Sequence, residues 1–376
     1  MGDVISTIGD GLEQSLLMAY QVWWALVLGF TISAIVQAWI PRERIEASLS
    51  GEGAGAIARS TLLGAASSSC SYAAVAIAKS LFQKGASAAS ALAFQFASTN
   101  LVWELGLVLW VLIGWQFTLG EYVGGIVMIV LMTLSLRWFV SPRLEKQARR
   151  QAIQADAGHQ HVHGGQSMAW RELLRSRSAW SDVAHNFRGD WRALWKEITL
   201  GFFLAGFIGL LGNDFFNSLF ITDAPPVIQT LENVIVGPII AVLSFVCSIG
   251  NVPLAAVLWS GGISFSGVLA FIFADLIVVP IVLIYRKYYG WTFAWRITVL
   301  MFITMVLGAL IVDLAFSAVG LVPGGPRPSR GDVFGTIEVD YKLFLNLLGL
   351  VIFVVMFWLT ARPGPARMGS PAANAG

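Results

Sequence analysis

The sequence predicts an all-α integral membrane protein built from two inverted repeats that contain broken or re-entrant helices. The chain is 56% hydrophobic and only 12% charged, and its mean hydropathy is +0.72, whereas soluble domains carry about 25% charged residues. The segments Cys70–Ala97 and Cys247–Ala274 lie 177 residues apart and are identical at 12 of 28 positions without a gap. Duplicated, interrupted apolar segments are typical of the substrate sites of transporters.

The apolar segments fall into two groups. Seven have the length of a full span, roughly 20 residues, and lie at 16–40, 88–114, 119–140, 197–217, 263–285, 294–319 and 342–360. Two others, 57–82 and 232–259, are interrupted by the polar stretches Ser67–Ser71 and Cys247–Pro253. The sequence therefore predicts about seven full spans and two re-entrant hairpins.

The distribution of charge predicts the orientation of these segments. The loop 141–196 carries ten Lys and Arg residues and should be cytoplasmic, whereas the flank 213–233 is acidic and should be external. The remaining loops follow this rule if both interrupted segments are re-entrant, with the amino terminus outside and the carboxyl terminus inside. Arg327 and Arg330 are exceptions in an external loop. The alternative is that both interrupted segments cross the bilayer, which gives nine full spans.

These boundaries divide the chain into six parts. They are membrane repeat A at 1–140, the cytoplasmic loop at 141–196, membrane repeat B at 197–319, an external loop at 320–340, the last span at 341–361 and a disordered tail at 362–376. The net charge of +2 is too small to indicate a nucleic-acid partner. The expected surroundings are a lipid bilayer, while a homo-oligomer and a cytoplasmic partner of 141–196 are left open.

The two cysteines mark the points where the repeats are interrupted. Backbone groups freed from helix geometry must be buried in protein or line a wet cavity. Pseudo-symmetry predicts that Cys70 and Cys247 face each other near the midplane, and a thiolate pair is a soft ligand set for copper(I), zinc or a trivalent metalloid. Hydroxyl and amide groups nearby belong to Ser67, Ser68, Ser69, Ser71, Ser248 and Asn251. The alternative is that each cysteine is a small, inert residue in a tight turn.

Acidic residues within the predicted spans are a second indication of function. Glu104, Asp275 and Asp313 lie within apolar segments, and intramembrane carboxylates are functional by default because their burial is costly. Asp275 stands at the position equivalent to Ser98 in the first repeat, on the face expected to meet the cavity. We predict that Asp275 or Glu104 couples transport to protons, with a structural hydrogen bond as the alternative for Glu104 and an interfacial position for Asp313.

The span 88–114 cannot direct all its polar groups to one cavity as a regular helix. At 100° per residue, Gln95, Ser98 and Thr99 share one face, while Asn100 and Glu104 share nearly the opposite face. The pattern therefore predicts that this helix unwinds if its polar groups line one pathway.

The cytoplasmic loop contains two further patterns. His159, His161 and His163 form a short tract that could bind zinc or copper weakly, or could simply be solvated. Between Trp180 and Lys196, aromatic and basic residues alternate as in an amphipathic helix that lies at the inner membrane interface.

Motifs of the common enzyme classes are absent from the sequence. No G-x-x-x-x-G-K-[ST] or H-E-x-x-H occurs, and all four histidines lie outside the predicted spans. We therefore expect a protein that is not an enzyme and needs no cofactor.

The duplicated pattern resembles a bacterial family. A Cys-Ser turn, a Gly-x-Ser and the run Leu-Ala-Phe-x-x-Ala, all repeated, together with Phe96–Leu101 and Cys247–Leu254, are similar to the permeases of the arsenical-export type, once called a domain of unknown function. The resemblance covers 57–140 and 232–290. It implies an inner-membrane permease that exports toxic soft species such as organoarsenicals, copper or zinc.

The resemblance also implies functional positions. These are Cys70, Cys247 and Asn100. The sequence departs from the family at Ser68-Ser69-Cys70-Ser71, where members often have Cys-x-Cys, and at Thr99, where proline is common. Fewer thiolates weaken the expectation of an arsenic-specific site.

Three functions follow as hypotheses. The first is secondary efflux of a soft metal or metalloid, the second is transport of a small organic or anionic solute, and the third is a membrane scaffold that does not transport. The predicted substrate-binding residues are Cys70, Cys247, Ser69, Ser71, Ser248, Asn251, Asn100 and Gln95.

Overall fold

The computed structural model describes most of the chain. The described residues are 2–39, 53–67, 71–83, 85–154, 175–211, 215, 220, 225–244, 248–324, 327, 337, 339 and 341–361. They are helical and contain no strand. The predicted disordered tail at 362–376 lies outside them.

The first half of the chain contains seven described helices. They are α1 (Gly2–Trp39), α2 (Ala54–Ser67), α3 (Ser71–Gln83), α4 (Ala88–Asn100), α5 (Trp103–Leu112), α6 (Trp115–Phe139) and α7 (Pro142–Gln154). The first six correspond to the predicted repeat A, and α7 lies at the start of the predicted cytoplasmic loop.

The second half contains seven more described helices and one 3₁₀ turn. They are α8 (Arg177–Gly209), α9 (Pro226–Ser244), α10 (Ser248–Ser260), α11 (Phe265–Phe273), the 3₁₀ turn Ala274–Ile277, α12 (Val279–Tyr289), α13 (Trp291–Ala318) and α14 (Tyr341–Ala361). The order from α9 to α13 matches the order from α2 to α6.

The turns within the two repeats have the same construction. Gly85 and Gly262, 177 residues apart, have φ angles of 107° and 118°, a left-handed region that glycine adopts at little cost. Two residues later, Ser87 and Ser264 cap α4 and α11, and each side chain accepts a hydrogen bond from the backbone N–H three residues further on. The sequence repeat is therefore also a repeat of local structure.

Both repeats contain a bent helix pair after this cap. α4 ends at Asn100 and α5 begins at Trp103, with a bend of 40°. The 3₁₀ turn Ala274–Ile277 interrupts the second pair, and the bend there is 41°. The break that the polar residues of 88–114 predicted in this helix is present directly after Asn100.

Five helices are long and apolar enough to cross a membrane. They lie at Ser6–Ile32, Trp115–Phe139, Pro226–Ser244, Trp291–Ala318 and Tyr341–Thr360, and the two bent pairs raise the number to as many as seven. Four of the five helices, together with the two bent pairs, coincide with six of the seven predicted spans. The seventh, 197–217, appears as the shorter apolar stretch Ile198–Gly209 and lies partly outside the described residues.

The helix Pro226–Ser244 is longer than the sequence predicted. It is 19 residues long, whereas the sequence placed its carboxyl-terminal part in a re-entrant segment at 232–259. The apolar run begins earlier than the sequence interpretation allowed, because Val227, Ile228 and Leu231 extend it toward the amino terminus. By length this helix could cross the membrane alone.

Glycines bring α2 close to α4 in the first repeat and α9 close to α11 in the second. A Cβ atom at Gly64 of α2 would collide with the Phe94 carbonyl oxygen of α4, and a Cβ at Gly237 of α9 would collide with the Gly267 carbonyl oxygen of α11. Small residues permit this close approach of helix backbones in membranes.

The amphipathic segment of the cytoplasmic loop differs from the expected interfacial helix. It is continuous with the apolar stretch that follows, in the 33-residue helix α8. Phe187 is 0% exposed and packs against Phe353 of α14 at 5.9 Å between ring centroids, and Trp191 packs against Trp23 of α1 at 5.4 Å. Phe187 and Trp191 therefore pack on neighbouring helices of the protein, whereas Trp195 of the same segment is 51% exposed.

Candidate functional site

A buried carboxylate joins the residues that follow the two interruptions. The Asp275 side chain is 0% exposed and lies in the 3₁₀ turn after α11. The Ser71 hydroxyl donates a hydrogen bond of 2.7 Å to Asp275 Oδ2, and the Ser248 hydroxyl interacts with the same carboxylate. Ser71 begins α3 and Ser248 begins α10. Two helix starts from different repeats therefore meet at one carboxylate.

The surroundings of Asp275 favour a negative charge more than an apolar core would. The amino-terminal ends of α3 and α10 carry the positive ends of helix dipoles, and the backbone N–H groups of Asp275 and Leu276 interact with the carboxylate. Within the described part of the chain, Oδ1 has no hydrogen-bond partner. One oxygen is held by protein, and the other is available to a proton, a cation or a polar solute.

Gln95 reaches the same region from α4. Its side-chain nitrogen donates to the hydroxyl of Tyr285, and that hydroxyl donates to the Leu276 carbonyl oxygen at 3.1 Å. All three residues are fully or almost fully buried, and Gln95 Oε1 has no partner among the described residues. Gln95 is thus connected through one tyrosine to the residue beside Asp275.

Asn100 and Asn251 supply further buried amides. Each side chain is 0% exposed. Neither polar atom of the Asn100 amide has a partner among the described residues, and the same holds for Asn251 Nδ2. Asn251 Oδ1 accepts from the Ser244 hydroxyl at 3.3 Å. A buried polar group without a partner costs about 1–3 kcal/mol, so these amides are suited to binding a polar species.

Ser98 and Thr99 satisfy their hydroxyls within their own helix. Both donate to the Gln95 carbonyl oxygen, at 3.0 and 3.4 Å. Their side chains are buried, but their hydroxyls already have partners. Gln95 and Asn100 therefore retain more capacity for a solute than the two residues between them.

Glu121 is a buried carboxylate that the sequence interpretation did not single out. It is 0% exposed on α6, its charge interacts with that of Asp275, and neither oxygen has a partner among the described residues. The signal in the sequence is the glycine pattern around it. A Cβ at Gly124 would collide with the Phe273 ring, and one at Gly125 would collide with Leu101, so this face of α6 lies against both bends.

Glu104 lies on a different side of the bent helix. It is 5% exposed, and its backbone and Cβ are where a Cβ at Gly29 of α1 would be. Its charge interacts with Asp190 of α8. The structure therefore places Glu104 against α1, and no contact joins it to Asp275 among the described residues.

Tyr122 lies between the two glutamates. Its phenol, which is uncharged at neutral pH, is within electrostatic range of both Glu104 and Glu121, and its hydroxyl donates to the Val102 carbonyl oxygen at 3.2 Å. Val102 precedes α5, and its carbonyl oxygen also accepts from the Gly106 backbone N–H at 3.2 Å, so the tyrosine adds a second hydrogen bond at the start of α5.

Several predicted residues lie outside the described residues. They are Cys70, Cys247, Ser69, His159, His161 and His163. Within the described part, no group of three or more His, Cys, Asp and Glu side chains could hold a metal ion. The thiolate pair and the histidine tract thus stay predictions.

Comparison with known proteins agrees with the resemblance seen in the sequence. The chain is 43% identical over 326 residues to a protein of Mycobacterium tuberculosis (strain ATCC 25618 / H37Rv) named "Putative permease Rv2963", and the match covers 83% of this chain and 79% of that protein. No solved structure matches the chain.

The family comparison covers the same region. The sequence model of the family ArsP_1, described as "Predicted permease", matches residues 12–314, which include both repeats and every described candidate residue. The chain therefore belongs to the ArsP_1 family of predicted permeases.

Proposed function

We propose that this permease exports a soft metal or metalloid species across the inner membrane, through a site between two inverted repeats. The observation that carries the proposal is the contact of Ser71 and Ser248 with Asp275. Residues next to both interruptions share one carboxylate, as expected for a transporter whose substrate site lies where broken helices meet.

The proposed soft ligands are the two cysteines. Cys70 directly precedes Ser71, and Cys247 directly precedes Ser248. Because both serines contact Asp275, a thiolate pair beside them would combine soft sulfur ligands with a carboxylate. Such a donor set suits copper(I), zinc or a trivalent arsenical. Asn100, in the motif that the family resemblance singled out, adds an amide.

Protons are the proposed coupling ions. Asp275 and Glu121 are both fully buried, and repulsion between two buried carboxylates favours one bound proton over two full charges. Binding of a cationic substrate would release that proton, and loss of the substrate would restore it. Glu104, which packs against α1, is the proposed residue for proton passage at the edge of the site.

A second candidate is a permease for a small organic or anionic solute. The observation that favours it is the set of buried amides with free hydrogen-bonding atoms at Asn100, Asn251 and Gln95, together with two helix amino termini directed at the same place. In this function the cysteines are incidental.

Resistance and accumulation assays in cells separate the two candidates. Cells with and without the protein are challenged with copper, zinc, arsenite and methylated arsenicals, and Cys70→Ser and Cys247→Ser are compared with the unaltered protein at equal amounts in the membrane. Soft-metal export predicts lower accumulation of at least one species, and loss of that effect in both variants.

Two results would contradict the first candidate. Accumulation of all four species could be unchanged by the protein, or export could persist at full rate in both serine variants. The first result would favour the organic or anionic solute, and the second would exclude the cysteines as ligands.

A further inference from the structure

Arg149 of α7 holds the turn of the first repeat. Its guanidinium donates to the Ala86 carbonyl oxygen at 2.9 Å and stacks on the Phe82 ring at 4.6 Å. Ala86 follows Gly85, and Phe82 lies near the end of α3. The arginine therefore fixes both the loop between α3 and α4 and the helix that leads into it.

Arg327 makes the same contacts in the second repeat. It donates to the Ile263 carbonyl oxygen at 2.8 Å and to the Trp259 carbonyl oxygen at 3.1 Å. Its guanidinium also stacks on the Trp259 ring at 4.4 Å. Ile263 follows Gly262, so this arginine holds the loop between α10 and α11.

The two sets of contacts are equivalent residue by residue. Ala86 corresponds to Ile263, and Phe82 corresponds to Trp259, at the 177-residue spacing of the repeat. The arginines also occupy matching places in the chain: Arg149 follows the end of α6 by ten residues, and Arg327 follows the end of α13 by nine. The repeat thus extends beyond the segments in which the sequences are visibly similar.

The supporting residues differ between the turns. In the first repeat, Glu145 accepts from the Ala88 backbone N–H at 2.9 Å and pairs with Arg149 at 3.3 Å. In the second repeat, Asn233 of α9 accepts from the Ser264 backbone N–H at 2.9 Å. The first turn is therefore held by an ion pair on α7, and the second by an amide from its own repeat.

The predicted topology puts the two arginines on opposite sides of the membrane. Arg149 belongs to the basic loop 141–196, which the positive-inside rule assigns to the cytoplasm. Arg327 belongs to the external loop 320–340, where it was an exception to that rule. A guanidinium that stacks and donates in a fixed geometry has no equivalent in lysine, which gives a reason for an arginine on the external side.

We propose that Arg149 and Arg327 are paired clamps, each holding the turn of one hairpin at its own face of the membrane, and that release of a clamp opens the shared site to that face. The proposal rests on the transport function proposed above. Because the turns are built alike but face opposite sides, release of one clamp at a time would give the alternating access that a secondary transporter needs.

Thiol accessibility tests the clamps independently of the solute. In a Cys70→Ser, Cys247→Ser background, a reporter cysteine is placed at Ala91 or at its equivalent Val268, which are 2% and 0% exposed and lie one helical turn below the two capping serines. Each reporter is labelled with a membrane-impermeant maleimide in right-side-out and in inverted vesicles, with and without Arg149→Ala or Arg327→Ala.

The expected result is selective for both residue and side. Arg149→Ala should raise labelling of Ala91→Cys from the cytoplasmic side roughly tenfold, because a hydrogen bond to a charged group is lost, and should leave Val268→Cys unchanged. Arg327→Ala should do the reverse from the external side. Arg149→Lys and Arg327→Lys, which keep the charge without the stacking geometry, should give intermediate labelling and serve if the alanine variants do not fold.

Labelling that is unchanged in all folded variants, or that rises from the same side for both reporters, would overturn the clamps. Absence of metal export by the unaltered protein, with the expected labelling pattern in the variants, would instead count against the proposed substrate. The two failures are therefore distinguishable.

Discussion

At the scale of single residues, Asp275 has the largest number of converging contacts in the site. Ser71 and Ser248 bring the interruptions of both repeats to it, and Tyr285 links Gln95 to the neighbouring Leu276. A carboxylate at this depth is costly to maintain, so its retention indicates a role that a neutral residue cannot perform.

Substitution of the buried carboxylates tests that role. Asp275→Asn and Glu121→Gln keep the size and hydrogen-bonding capacity of the side chains but cannot exchange a proton. We expect each to lower the transport rate by a factor on the order of 10² or more, as for removal of a group that transfers a proton. The measurement is uptake into inverted vesicles under an imposed pH gradient.

Asp313→Asn is the matched control. Asp313 is also an aspartate in a membrane helix, but it is only partly buried on α13 and was predicted to be interfacial. It should transport normally. Equal loss in all three variants, or none in Asp275→Asn, would contradict the assigned roles.

The sequence identified Asp275 as a candidate but did not identify Glu121. Asp275 stood out because it is a carboxylate within an apolar run, at the position of the second repeat that is equivalent to Ser98 in the first. Glu121 did not, because it is only two residues inside the predicted span 119–140, where a carboxylate looks interfacial. Its burial depends on glycines at 120 and 124 that admit side chains of α11, and such packing between distant segments cannot be read from a single segment.

At the scale of elements, the two bent helix pairs are the features that create the site. The first bend frees the end of α4 at Asn100, and the second places Asp275 in a 3₁₀ turn. The incompatible polar faces of 88–114 predicted the first bend. The second break had a different signal, which the sequence interpretation did not use: Pro280 stands in the first turn of α12, and a proline interrupts a helix at the residues before it.

The close contact of α2 with α4 provides a test at this scale. Gly64→Ala would place a Cβ against the Phe94 carbonyl oxygen, whereas Gly55→Ala on the same helix meets nothing within 4 Å. Overpacking of this kind costs typically 1–3 kcal/mol, so Gly64→Ala should lower the temperature at which the purified protein loses its folded size-exclusion peak. Gly55→Ala should match the unaltered protein, and equal behaviour of the two variants would refute the packing.

The helix α8 shows what amphipathicity leaves open. Alternating aromatic and basic residues between Trp180 and Lys196 predicted a helix lying on the membrane. Part of the same face packs on α1 and α14, through Phe187 and Trp191, while Trp195 is 51% exposed. A one-sided apolar pattern states that a face is buried, and only the fold determines whether lipid or protein buries it.

At the scale of the whole molecule, the chain consists of two halves with the same order of elements. Their turns, caps and bends recur at nearly constant spacing. The membrane class, the duplicated segment and six of the seven apolar segments of spanning length could be predicted, because they depend on local composition. The inverted orientation of the repeats stays a prediction. The sequence could not assign Pro226–Ser244 to a long helix, because the charge rule that decided the topology reports loops and not helix lengths.

The claim on which the whole account depends is that the starts of α3 and α10 meet at one place. Cross-linking measures this directly: Ser71→Cys and Ser248→Cys are introduced together in a Cys70→Ser, Cys247→Ser background, with a protease site in the loop 155–174. A short thiol cross-linker is applied in native membranes. The control pair combines Ser71→Cys with Ser260→Cys, at the opposite end of α10.

Both serines contact the Asp275 carboxylate, so we expect Ser71→Cys and Ser248→Cys to cross-link. The two halves of the chain should then stay joined after proteolysis, while they should separate in the control pair. Separation of the halves in both pairs, with the protein folded and both thiols reactive, would contradict a shared site and with it the proposed path of the solute.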